Sequence, residues 1–143
     1  MKKIHLSLLS ISLFFLSVSL SASILDNLKI DSAYKIEIFA SDLDSPRQLA
    51  ESADGWIFIG SRSGGKIFAV RDTDGNGESD ERLLVVKGLT MATGVSFFNG
   101  DLFFSEINKI WKIKNIDEFL RKSMAELPDK ILVTEDLPSD KWH

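Results

Sequence analysis

Residues Arg71 to Asp80 read RDTDGNGESD, carboxylates and an amide spaced by glycines. Alternating oxygen donors on a glycine-rich loop are what a calcium ion needs, because it accepts six to eight oxygens in a flexible shell. Asp72, Asp74 and Asn76 fall at positions 1, 3 and 5 of an EF-hand loop, Gly77 at 6 and Asp80 at 9. Position 12, where a bidentate Glu should close the shell, is Leu83, so an EF-hand is excluded. Two readings stay open. Asp72, Asp74, Asn76 and Asp80 converge on a calcium ion through carboxylates and carbonyls, or the stretch is a turn whose Asx side chains cap their own backbone.

Histidine is the other residue type that matters here. The first residues, MKKIHLSLLSISLFFLSVSLSAS, have two lysines, an apolar core broken by serines, and small residues before a cut after Ser23. This layout predicts a secretory signal over 1–23 and an exported, periplasmic or secreted mature chain of 24–143. The apolar core is shorter than the roughly 20 residues of a spanning helix, and no Cys stands at the cut, so no stable membrane anchor is expected after cleavage. His5 goes with the signal, which leaves His143 as the one mature histidine. A multi-histidine zinc site and a Ser-His-Asp triad with a mid-chain histidine are excluded by count. Fifteen basic residues then face 21 acidic ones, a net charge of −6 without a basic run, which argues against nucleic acid as a partner. The chain has no Cys, so disulfides do not stabilise it.

The elements that must position these groups read as short strands. From Tyr34 onward apolar residues come in period-two runs broken by Gly, Asp and Asn. Strands are predicted near 34–40, 47–52, 56–61, 66–71, 82–88, 93–98, 101–106, 109–114 and 130–136. The series repeats: LDSPRQLA answers to LTMATGVS, GWIFIGS to GDLFFSE, KIFAV to KIWKI and LLVVKGL to ILVTEDL, at offsets of 46, 45, 43 and 48 residues. Four strands per unit at such a period describe propeller blades. The expected fold is all-β, with blade-like units at about 43–88 and 89–136 and a third opening at Leu137. One insertion, at about 115–125, reads as a short helix, with Asn115 and Glu118 spaced as a capping box and Ile116, Phe119 and Leu120 on one face. A propeller closes with about 4 to 8 blades, so the chain is expected to be the front part of a longer protein.

The stretches SPRQLAESADGWIFIGSRSGGKIFAVRDTDGNGESDE, GLTMATGVSFFNGDLFFSEINKIWKI and LPSDKWH, in this order, resemble the front end of the sorbosone and soluble glucose dehydrogenase family. The resemblance covers about residues 34–143. It implies a six-bladed propeller that binds pyrroloquinoline quinone (PQQ) and oxidises a sugar, with calcium ligands holding the cofactor. In that family a histidine at the start of a third-blade strand is the general base, and His143 matches it by position after LPSDKW. A histidine suits the task because its pKa lies near neutral. Leu49 and Val95 are its counterparts in the two units, and Arg47 on the same rim could pair with a quinone carboxylate. Thr93, Glu106, Asn108 and Asp140 are weaker candidates.

Three functions follow as expectations. The first is a periplasmic quinoprotein acting on a small sugar, with its electron acceptor undetermined and with 24–143 inactive alone, since the family's remaining machinery would lie downstream. The second is a non-catalytic propeller used as a binding module. The third, ranked last, is a metal-dependent sugar-lactone hydrolase.

Overall fold

The computed structural model describes residues 24–122 and 128–139. The signal read over 1–23, together with Asp140 and His143, lies outside the described residues. The chain divides into two units at Ile36/Glu37. In the first, a 3-10 turn at Ile24–Asn27 is followed by a turn in which Tyr34 N–H donates to Asp31 O at 3.0 Å and Ala33 N–H to the Asp31 side chain at 2.9 Å.

The second unit is two four-stranded antiparallel meanders. Sheet 1 runs β1 (Pro46–Glu51), β2 (Ile57–Ser61), β3 (Lys66–Arg71) and β4 (Glu81–Val86), and sheet 2 runs β5 (Val95–Phe98), β6 (Asp101–Ser105), β7 (Ile110–Ile113) and β8 (Ile131–Thr134). Each strand pairs with its sequence neighbour. Asn99 and Gly100, both at positive φ (49° and 83°), form the two-residue turn between the paired Phe98 and Asp101. That is the turn chemistry Asn-Gly favours, because its backbone twist matches that of the flanking strands. These sheets are propeller blades, as the repeat requires.

The sheets pack face to face. Phe58 of β2 is fully buried and stacks on Phe97 of β5, with ring centroids 6.3 Å apart and planes at 19°. Ile67, Ala69 and Val85 of sheet 1 and Val95, Leu102, Phe104 and Ile113 of sheet 2 complete one core. The crossover 87–94 lies against sheet 1 so closely that only glycine fits beneath it. A Cβ on Gly60 would meet Thr93 O at 2.3 Å, and one on Gly65 would meet Leu89 O at 2.2 Å.

The predicted strand over 34–40 does not form. Period-two alternation makes a strand only where a ladder partner exists, and Tyr34, Ile36 and Ile38 stay exposed. Residues 39–45 instead strap sheet 1: Ser79 N–H donates to Phe39 O at 2.7 Å, Arg82 to Asp42 O at 3.1 Å, and Arg62 N–H to Ser45 O at 3.1 Å. The fully buried Ser61 hydroxyl donates to Asp44 O.

The helix forms as α1 (Ile116–Arg121), with Ile116 and Leu120 buried and Phe119 packed against the core, but the capping box does not. Asn115 is left-handed (φ 47°, ψ 46°) and its side chain caps nothing. The helix start is held by sheet 2: Ile116 N–H donates to Gly100 O at 2.9 Å, and Asn115 N–H to Asp101 Oδ1 at 3.1 Å. Glu118 pairs with Lys122 one turn on, at 2.8 Å. The chain arrives from β7 already anchored to the β5–β6 turn, which leaves the box no geometry to occupy. Among the described residues no helix is long and apolar enough to cross a membrane.

Candidate functional site

In a four-stranded meander the 1–2 and 3–4 connections leave from one end and the 2–3 connection from the other. The acidic stretch is the 3–4 connection of sheet 1, and α1 fills the same slot in sheet 2. Arg47, near the start of β1, and Thr93, just before β5, lie at the opposite end. The chain therefore separates the two chemistries read from it.

At the acidic end, carboxylate oxygens of Asp72, Asp74 and Asp80 lie within 4.8 Å of one another. Most of their hydrogen bonds are local. Asp72 accepts from Asp74 N–H (3.2 Å), Gly75 N–H (2.7 Å) and Gly77 N–H (2.8 Å), and the Gly77 bond leads in holding its carboxyl below the usual range. Asp80 accepts from Thr73, through both the backbone N–H (2.9 Å) and the hydroxyl (2.8 Å). The Asn76 amide donates to Asp74 at 3.2 Å while its oxygen accepts from Glu78 N–H at 2.7 Å. This is the self-capped turn in full, and it leaves Leu83 in β4, away from the cluster.

At the other end the first strands of the two sheets, β1 and β5, adjoin. Arg47 and Gln48 are exposed there, Leu49 is 61% exposed, and Val95 is buried. The Arg47 guanidinium has no ion pair with another described residue. Three weaker candidates serve the fold. Glu106 accepts from Thr90 N–H (3.0 Å) and Trp111 Nε1–H (2.8 Å), Thr93 Oγ1 donates to Met91 O (3.3 Å), and Asn108 O accepts from Leu137 N–H (3.3 Å).

One feature of the acidic end escaped the sequence reading. A cleft of about 580 Å³ opens between sheet 1 and α1, lined by Trp56, Arg71, Glu81, Arg82, Leu120 and Arg121 among others. Arg71 lies 4.4 Å over the Trp56 ring and donates to Glu81 at 2.7 Å, while the buried Trp56 Nε1–H has no acceptor among the described residues. Arg121 reaches from α1 to Asp54 in the β1–β2 hairpin with two bonds, at 2.5 and 2.9 Å, and so ties the two sheets together. These partners are 67 residues apart, and no local spacing announces them.

The Arg121 hydrogen bonds hold the Asp54 carboxyl below the usual carboxylate range. A depressed folded-state value contributes stability above the unfolded value of about 3.9 and loses it as pH falls through the folded one. Arg121→Ala is therefore expected to destabilise modestly at pH 7 and by less at pH 3. Urea midpoints at the two pH values check this, and an equal loss at both would refute it.

No model of a protein family matches the chain. An uncharacterized protein of Borreliella burgdorferi is 29% identical over 115 residues, which cover 79% of this chain and 28% of that protein. The chain thus spans well under a third of the length of this relative. Among solved structures, the PQQ domain of pyranose dehydrogenase from Coprinopsis cinerea, in its holo form, aligns over 70% of this chain and 23% of its own, with a TM-score of 0.55 and 12% identity. A PQQ-bound aldose sugar dehydrogenase from Streptomyces coelicolor aligns over 68% and 32%, with a TM-score of 0.45 and 14% identity. At 12% identity the first likeness is one of fold. It extends over the two sheets' share of the chain and no further than fold.

Proposed function

We propose that the chain supplies the first blades of an exported quinoprotein that oxidises a small sugar. The observation that supports this best is the blade pair itself, whose fold is like that of the PQQ domain of pyranose dehydrogenase. The sequence resemblance through LPSDKWH adds to it.

When bound, PQQ supplies a quinone that accepts hydride from the sugar. The chain's own residues have narrower tasks. Arg47 offers an exposed guanidinium, without an ion pair to another described residue, on the first strand of sheet 1; it suits a carboxylate-bearing cofactor as a bidentate donor. One cation orients such a group but does not enclose it, so most of the holding falls to other blades. His143 takes the proton from the sugar hydroxyl, as a near-neutral imidazole can. In this reading the acidic loop holds a calcium ion that steadies a blade, on the strength of the converging oxygens of Asp72, Asp74 and Asp80, with Asn76 beside them. It stands at the far end of the strands from Arg47 and takes no part in the chemistry.

The test is dye reduction by the longer polypeptide with PQQ, calcium and a panel of aldoses. Turnover dependent on PQQ and lost in His143→Ala is expected. No turnover and no PQQ binding would leave a propeller used as a binding module. Residues 24–143 alone should give no turnover. Calorimetric titration of these residues with calcium addresses the loop, where no heat at millimolar ion would leave only the turn.

A further inference from the structure

The cleft between sheet 1 and α1 is positively charged on an acidic chain. Its lining sets the guanidiniums of Arg71, Arg82 and Arg121 against the single carboxylate of Glu81, whereas the chain as a whole has a formal net charge of −4. Glu81 is already engaged, since Arg71 donates to its Oε2 from Nε at 3.0 Å and from Nη2 at 2.7 Å. Arg121 likewise commits Nε and Nη2 to Asp54. Each of these two arginines therefore keeps its Nη1 group to donate. Arg82 has no carboxylate partner among the described residues: its Nη1 meets the carbonyls of Ser41 at 3.4 Å and Asp42 at 3.1 Å, which leaves Nε and Nη2.

Trp56 belongs to the same wall. It is 2% exposed and its Nε1–H has no acceptor among the described residues, although a buried donor left unpaired is costly and rare. Arg71 covers the ring face at 4.4 Å, so the N–H at the ring edge is what remains for an acceptor to meet. The blade itself does not require this indole. In sheet 2 the repeat puts Asp101 in the slot of Trp56, and the Asp101 carboxylate accepts from Lys112 Nζ at 3.2 Å and from Asn115 N–H at 3.1 Å.

We propose that the cleft binds a small organic anion, whose carboxylate or phosphate head accepts from Trp56 Nε1–H and from the remaining arginine donors while its apolar body rests on Leu83 and Leu120. The volume of about 580 Å³ is that of a small-molecule site. Guanidinium suits such a head, because its bonds to an ionised oxygen are stronger than neutral ones and its fork matches two oxygens at once. The indole supplies the donor that selects an acceptor over a cation. The cleft stands at the acidic-loop end of the strands, away from Arg47, and the inference is independent of the chemistry proposed above.

The test follows the indole N–H signals of the full chain by proton–nitrogen correlation NMR. The chain has three tryptophans; Trp111→Phe and Trp142→Phe identify their own signals, which leaves the third to Trp56. Benzoate, inorganic phosphate and neutral benzyl alcohol are titrated at constant ionic strength. The expected result is that benzoate and phosphate each move the Trp56 signal saturably, the tighter of the two identifying the head, while the other two signals stay and benzyl alcohol has no effect. Arg82→Gln should raise the half-saturating benzoate concentration by about tenfold, the effect of losing one charge-assisted contact. A Trp56 signal that neither anion moves at about 50 mM, or that benzyl alcohol moves as well, would overturn the proposal, as would an affinity unchanged in Arg82→Gln. Should that variant fold poorly, the titration of the parent chain decides by itself.

Discussion

Gly60→Ala is expected to separate the two sheets. The added Cβ would lie 2.3 Å from Thr93 O, 2.9 Å from Thr93 C and 3.0 Å from Ala92 O. All three are backbone atoms of the crossover, so no rotamer change relieves the contact. The crossover is itself held, by Leu89 N–H on Gly65 O and by Ser105 N–H on Gly94 O, both at 3.0 Å. Relief therefore requires moving β5 away from β2, which opens the contact between Phe58 and Phe97. Overpacking a core costs about 1–3 kcal/mol and occasionally more, and a rigid backbone obstacle belongs at or above the top of that range. Against a typical domain stability of about 5–15 kcal/mol, that is a large fraction. A urea titration followed by circular dichroism should show a clearly lower midpoint. A midpoint unchanged from the parent would mean that the crossover moves freely, and the close packing described here would be wrong.

Phe58→Ala should act from the other side of the same joint. Phe58 is fully buried in β2, opposite Ala69 in the ladder, and its ring stacks on Phe97. Its removal deletes a large apolar side chain where the strand ladders hold the backbone apart, so the cavity cannot collapse. Phe→Ala at such sites costs about 3–5 kcal/mol. Phe58→Leu, which keeps most of the volume, should recover much of the loss. Thermal and urea unfolding of the pair measures both, and an alanine variant as stable as the leucine variant would show that Phe58 is not the centre of the joint.

The repeat was legible because a blade is a local structure. Offsets of 43 to 48 residues set KIFAV over KIWKI, and β3 and β7 appear there with matching partners. The segment 34–40 misled for the converse reason. Its alternation is as regular as that of β3, yet a strand needs a neighbouring strand to form a ladder, and among the described residues no strand pairs with this segment. The capping box at Asn115 failed likewise: the spacing was right, but Gly100 and Asp101 had already claimed the helix start.

The sites divide in the same way. The sequence by itself determined the blade repeat and the failure of an EF-hand at Leu83, because each is read from residue types at fixed spacings along the chain; between a self-capped turn and a calcium loop it left both readings open. The repeat also put the acidic loop in the connection between third and fourth strands, remote from the rim that bears Arg47; only the tertiary structure decided that Arg121 reaches back to Asp54 and that Glu106 is occupied by Trp111 and Thr90. It also decided that Val133 of sheet 2 is half exposed where its repeat counterpart Val85 of sheet 1 is fully buried. Both are valines on matching strands, so composition cannot tell them apart. What differs, among the described residues, is that sheet 2 packs against the face of sheet 1 that bears Val85.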